Sequence, residues 1–229
     1  MLAVIQARVS SARLPGKVLR PLAGRPMLAR LIDRLRTAER IGDIVVATSA
    51  GKDDDAIAGL CGELSVRCFR GPLDDVSERL ALAAEDMHAE AFVRINGDSP
   101  LMCPGIVDAV VALYAKEDVD LATNVQTRTF PKGLSVEAIR LEALRRAQKM
   151  MLPGEAEHVT AAFYRRARDF RITNFASGHD WGAIQMSVDT PADFTLMEAM
   201  FRQMGSSTAM LAVKDLIALR SRCMTGLLA

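Results

Sequence analysis

With 229 residues, half of them hydrophobic, the chain has material for one large domain with at most a small appendage. Its 29 Lys and Arg nearly cancel its 28 Asp and Glu, which excludes a global field drawing it to nucleic acid or an anionic membrane, so any anion must be recognised locally. Four cysteines without a CxxC pair and three histidines offer no zinc-site spacing. Arg8 comes too early for a secretory leader, and no apolar run nears the roughly 18 residues of a membrane span, so a cytoplasmic location with reduced thiols is expected.

Residues 2–5, LAVI, read as a strand, and the loop after it is dense in chemistry. The stretch IQARVSSARLPGKVL (5–19) places Arg8, Ser11, Arg13, a Pro-Gly pair and Lys17 together. It is neither a P-loop nor a GxGxxG fingerprint, and its single glycine gives backbone little room to approach phosphates. Side chains must then carry the neutralisation, Arg as a fork and Lys as a point charge. Two readings stand at this point, a polyphosphate cradle and a loop of merely solvated cations.

Next comes PMLARLIDRLR (26–36), whose Met27, Leu28, Leu31, Ile32 and Leu35 share one helical stripe, with Pro26 in a first-turn position. Strands follow at 43–49, 65–69, 91–95 and 119–124, and helices at 53–63, 74–88 and 105–116. This alternation predicts βαβ units: an α/β fold with a mostly parallel central sheet sandwiched by helices. The run Asp53-Asp54-Asp55 opens a helix and reads as a solvated first turn favoured by the helix dipole. In such sheets ligands bind outside the carboxyl ends of the strands, which collects Arg8 to Lys17, Thr48–Ser49, Gly71–Asp75 and Asn96–Pro100. Asp98, in INGDSPL at a strand tip, can hold Mg²⁺ or serve as a turn aspartate.

After residue 125 the rhythm changes. Residues 129–139 look like a turn and a strand, 141–150 and 155–167 like helices, 170–176 and 183–189 like strands, 191–204 like a helix, and a last helix is expected near 207–219. One domain over 1–229 is expected, with residues 125–180 as a subdomain. MSVDTPADF repeats the strand-tip design, so Asp189 is either a helix cap or a second carboxylate for the metal of Asp98.

These features, in this order, resemble the cytidylyltransferases that activate acidic sugars, most closely the branch called spore coat polysaccharide biosynthesis protein F. The broader group includes the acylneuraminate and 3-deoxy-manno-octulosonate cytidylyltransferases. The matching stretches are IQARVSSARLPGKVLRPLAGRPML, VVATS, DDAI, GPLDDVSERL, VRINGDSPL, FPKGLSVE, EHVT and VDTPADF, running from Ile5 to about Phe194. The resemblance implies a nucleotide-diphospho-sugar transferase-like fold, CTP and Mg²⁺, a small α+β acceptor and dimerisation subdomain, and a homodimer. Arg8, Ser11, Arg13 and Lys17 fall on positions that hold the triphosphate, with Ala7, Asn96 and Gly97 beside them. Asp98 and Asp189 fall on the metal carboxylates, with Arg8, Arg13, Lys17 and Asp98 as the catalytic set. Thr48, Ser49 and Asp75 fall near base and ribose, and Lys132, Glu137, Glu157 and His158 on the acceptor side. His158 by itself also suits a structural histidine.

The departures are Ser10 and Ala12 where relatives show Gly-Ser-Thr-Arg, Ser99 for a cysteine, Ala156 for a basic residue, and Gln185-Met186 for Arg-Leu. The change at Ser10 removes a backbone approach made through that glycine, and the two lost acceptor-side cations, at positions 156 and 185, bear on the sugar more than on catalysis. The implied reaction is attack of a sugar hydroxyl on the α-phosphorus of CTP with loss of pyrophosphate, in surface polysaccharide synthesis. The rival readings are another nucleotide or acceptor, and a non-catalytic nucleotide-binding partner; a glycosyltransferase would show Asp-x-Asp where Ser99-Pro100 follows Asp98.

Overall fold

The computed structural model describes residues 1–205 and 211–228. Seven strands form one sheet in the order β5-β4-β1-β6-β8-β7-β9. They are β1 (Leu2–Gln6), β4 (Asp43–Ser49), β5 (Arg67–Gly71), β6 (Ala91–Asn96), β7 (Leu121–Thr123), β8 (Glu137–Arg140) and β9 (Ile172–Asn174). A small ribbon pairs β2 (Pro21–Leu22) with β3 (Arg25–Pro26). Among the described strands of the seven-stranded sheet β8 alone runs against its neighbours, and the β2–β3 ribbon is antiparallel.

Alternation along each strand sends successive side chains to opposite faces. Ile5, Val46, Val93 and Ile95 meet one helix layer, built of α1 (Met27–Leu35), α2 (Asp55–Glu63), α4 (Pro104–Lys116), α7 (Pro191–Met204) and α8 (Val213–Leu228). Val4, Val45, Ala47 and Phe92 meet the other, built of α3 (Val76–Asp86), α5 (Leu141–Gln148) and α6 (Ala161–Arg165). The expected helix-sandwiched, mostly parallel sheet is therefore the observed architecture.

Differences gather in the second half. Residues 183–189 form no strand: the single bridge Lys132↔Gln185 stands where a ladder was expected. The segment is instead fastened at points, by Met186 N–H on Lys132 O (2.8 Å) and Val188 N–H on Asp98 O (2.9 Å). Gly133 permits this, since a Cβ there would lie 2.5 Å from the backbone of Met186 and Ser187. The helix expected over 155–167 breaks into a 3-10 turn at Glu155–Glu157 and the short α6, separated where β-branched Val159 and Thr160 turn inward and are buried. The strand expected at 65–69 starts two residues later because Ser65 is a turn residue with φ 53°. The last helix runs Val213–Leu228, and positions 207–210 of the expected one lie outside the described residues.

Candidate active site

Parallel pairing of β1 with β6 sets Gln6 against Asn96, so the opening loop and the Gly97–Pro100 turn leave the sheet side by side. They touch so closely that a Cβ on Gly97 would lie 2.8 Å from Gln6 O and 3.1 Å from the Ala7 Cβ. The loop folds back through Gly16, whose φ of 70° suits glycine and whose N–H bonds Val9 O at 2.9 Å. Asp54 anchors it from behind. Its carboxylate accepts the amides of Val9 (2.7 Å) and Ser49 (3.0 Å), tying the loop to the end of β4. Burial pushes this carboxyl up, but the bonds it accepts from Ser49 and Val9 outweigh that and hold it below the usual range.

A cavity of about 430 Å³ opens over these strand tips. Of the residues expected at a site, Ala7, Arg8, Ser11, Arg13, Lys17, Asn96, Gly97, Asp98, Glu157, His158 and Asp189 line it. The structure does not bring the others to its wall. Thr48 and Ser49 are buried, with Ser49 bonded to Asp54; Asp75 caps α3 by accepting Glu78 N–H at 2.8 Å; Lys132 is exposed elsewhere; Glu137 is buried one step behind the wall.

The cations of the loop reach across the cavity to carboxylates. Arg8 meets Glu157 at 3.1 Å and Arg13 meets Asp189 at 3.0 Å. Lys17, buried, donates to Asp98 (3.2 Å), Asp189 (3.3 Å) and the Val188 carbonyl (2.5 Å), which uses all three of its N–H groups. Asp189 can face the cavity because the helix cap falls to Thr190, which makes a capping box with Asp193. Burial raises the Asp189 carboxyl, but Lys17 and Arg13, with a hydrogen bond from Gln185, bring it below the ordinary carboxylate range.

Several wall residues and anchors escaped sequence reasoning. The Asp54 run was read as solvated, yet Asp54 is buried between Asp53 and Asp55, which are exposed. Arg79 of α3 is 1 % exposed; it gives Nη1 to the carbonyls of Pro72 and Leu73, while its Nε lacks a hydrogen-bond partner among the described residues. Burial and the charge of Arg8 lower its guanidinium. Arg94 of β6 gives Nε to Gln6 (2.9 Å) and Nη1 to Glu137 (2.5 Å), and Glu137 in turn accepts the Tyr164 hydroxyl at 2.5 Å. Burial and the Glu137 charge push the Tyr164 phenol up. The available signal was a glutamine and an arginine inside apolar central strands, LAVIQ and AFVRIN.

The family model for cytidylyltransferases matches residues 2–177. The chain belongs to the cytidylyltransferase family. An uncharacterized protein of Methanocaldococcus jannaschii is 35 % identical over 199 residues, covering 86 % of this chain and 81 % of the other. Spore coat polysaccharide biosynthesis protein SpsF of Bacillus subtilis is 27 % identical over 230 residues, 97 % and 94 % of the two chains. A 3-deoxy-manno-octulosonate cytidylyltransferase of Geobacter sulfurreducens is 37 % identical over 121 residues, 50 % of this chain and 45 % of that one. Among solved structures, a cytidylyltransferase from Leptospira borgpetersenii superposes with a TM-score of 0.90 at 27 % identity, covering 98 % and 95 %. The chain is thus a nucleotidyltransferase of this family. Among its described residues no helix is long and apolar enough to cross a membrane.

Proposed function

We propose that the cavity transfers CMP from CTP to an acidic sugar and releases pyrophosphate, within polysaccharide synthesis. The observation that carries this reading is that one loop supplies Arg8, Arg13 and Lys17 to a cavity whose facing strand tips supply Asp98 and Asp189. Arg8, Arg13 and Lys17 take the β- and γ-phosphates, and take up the charge that moves onto pyrophosphate as it leaves. Gly97 lets the backbone of β6 come close to the loop, so that the phosphates and Asp98 share one small volume.

The donor set suits Mg²⁺. Among the described residues no cluster of three or more His, Cys, Asp or Glu could hold a metal, and Mg²⁺ needs only one or two carboxylates when phosphate oxygens and water complete its shell. Asp98 and Asp189 already share one cationic nitrogen, so their carboxylates can converge on a cation. Bound there, Mg²⁺ would polarise the α-phosphate and acidify the incoming hydroxyl.

Arg94 is our candidate for the carboxylate of the sugar. It lines the cavity, and Gln6 and Glu137 hold its guanidinium in one orientation, so a carboxylate meets a donor edge that needs no reordering. Glu137 then serves the acceptor from behind Arg94, and Glu157 and His158 line the same cavity. A homodimer through residues 125–180, where Leu152 is exposed, is the assembly we propose, to be read by sedimentation.

The test is pyrophosphate release from CTP, UTP, ATP and GTP with Mg²⁺ and a panel of nonulosonic and octulosonic acids. Release with CTP and one acid is expected. Binding of CTP with no release from any acid would favour a non-catalytic nucleotide-binding partner, and preference for another nucleotide would overturn the CTP assignment.

A further inference from the structure

We infer that Lys17 is the resident counter-ion of the Asp98 and Asp189 pair, so that a divalent cation and a polyphosphate enter this cavity together and neither enters well alone. The inference deepens the function proposed above and rests on it for the nature of the two ligands.

The geometry is that of a closed set of ion pairs. The Lys17 ammonium has three N–H groups and three acceptors, the two carboxylates and the Val188 carbonyl. Arg13 adds a second cation on Asp189 Oδ1, so two carboxylates face two cations. The Lys17 side chain is 10 % exposed, so water can stand in for its partners only in part. The acceptors are also locked to one another, because the Val188 amide bonds the carbonyl of Asp98 at 2.9 Å.

Each ligand alone breaks this set unfavourably. A metal ion that took both carboxylates would leave a buried ammonium with one carbonyl, and removing one partner of a buried pair is costly. A polyphosphate that drew away Lys17 and Arg13 would leave Asp98 and Asp189 facing phosphate oxygens of the same sign. Together the two ligands exchange partners with the protein: the carboxylates pass to the metal and the cations to the phosphates, with no charge left bare. Such a coupling is reciprocal, so each ligand raises the affinity of the other by the same factor.

Manganese(II) is the probe, since its free-ion electron paramagnetic resonance signal is lost on binding. With Mn²⁺ alone, wild-type protein is expected to bind weakly. Lys17→Met, which keeps an apolar stem and removes the ammonium, is expected to bind one Mn²⁺ without any nucleotide about tenfold or more tightly. Adding Asp98→Asn to that variant should abolish the gain. Equal Mn²⁺ affinity in wild type and Lys17→Met overturns the inference. If Lys17→Met does not fold, the wild type decides: its Mn²⁺ affinity must rise about tenfold or more at saturating CTP or inorganic tripolyphosphate, beyond what those anions bind in buffer. An unchanged affinity with both anions overturns the inference. Coupling with tripolyphosphate but not CTP supports the counter-ion and overturns the cytidine assignment instead.

Discussion

Two sets of ion pairs border the same cavity and are built differently. Arg8 with Glu157 and Arg13 with Asp189 are pairs with at least one well-exposed member; Arg13 is 66 % exposed and Glu157 49 %. Arg94 with Glu137 is enclosed, 14 % and 3 % exposed, and is fixed further by Gln6 and Tyr164. Exposed pairs are weak and easily exchanged, whereas buried ones resist separation because a stranded charge is costly. One side of the site is therefore built to change partners and the other to stay in place, as the transfer proposed above would require of its pyrophosphate and acceptor sides.

The largest expected effect is at Asp98, the carboxylate proposed for the metal, which pairs with Lys17 beside the exchanging cations. Asp98→Asn should retain the circular dichroism of the folded protein and lower turnover by about two to three orders of magnitude; a variant at full rate would remove Asp98 from the reaction. On the fixed side, Arg94→Met should lower stability by about 3–5 kcal/mol, because Glu137 is left buried without its cation. Combining it with Glu137→Leu should recover most of that stability in urea titrations. The double variant should still need far more sugar while its KM for CTP stays near the wild-type value, and recovery of sugar affinity would reduce Arg94 to a packing role.

A smaller effect is expected from Arg13→Gln: CTP affinity falls about tenfold, and stability changes by no more than about 0.5 kcal/mol because the pair is exposed. Calorimetry with CTP and Mg²⁺ reads both, and a large stability loss would show that this pair is not of the exchanging kind.

The mildest perturbation is acid. Asp54, Asp120 and Asp189 are all held below the ordinary carboxylate range in the fold, where bonds from Ser49 and Val9, from Arg171, and from Lys17 outweigh burial. A carboxylate depressed in the fold contributes stability above its unfolded pKa, about 3.9 for Asp, and loses it as pH falls through its lower folded value. Unfolding temperature should thus be flat from neutrality to about pH 5 and fall below pH 4, less steeply in Asp54→Asn.

The parallel half was readable because its chemistry is local. LAVI, DIVVATS and AFVRI are short apolar runs, the intervening helices carry a 3.6-residue stripe, and sites gather at strand ends by topology alone. Arg8, Arg13, Lys17 and Asp98 could be named for that reason. What Lys17 touches could not, since its partners lie 81 and 172 residues away. Asp54 looked like its exposed neighbours because nothing in DDD shows which carboxylate turns inward to meet Val9. Residues 183–189 alternate like a strand, yet their backbone fits against Gly133 and Asp98 at points, and point attachment leaves no periodic trace.

Val188 gives the site a place in time as well as in space. Its amide holds Asp98 and its carbonyl holds Lys17, which lies 171 residues earlier. The βαβ units of the first hundred residues can form from near neighbours, whereas this junction must wait for a distant segment to dock. A chain still leaving the ribosome has its sheet before it has its second carboxylate. The junction that brings Asp189 to Lys17 and Asp98 therefore cannot form until synthesis has passed Asp189.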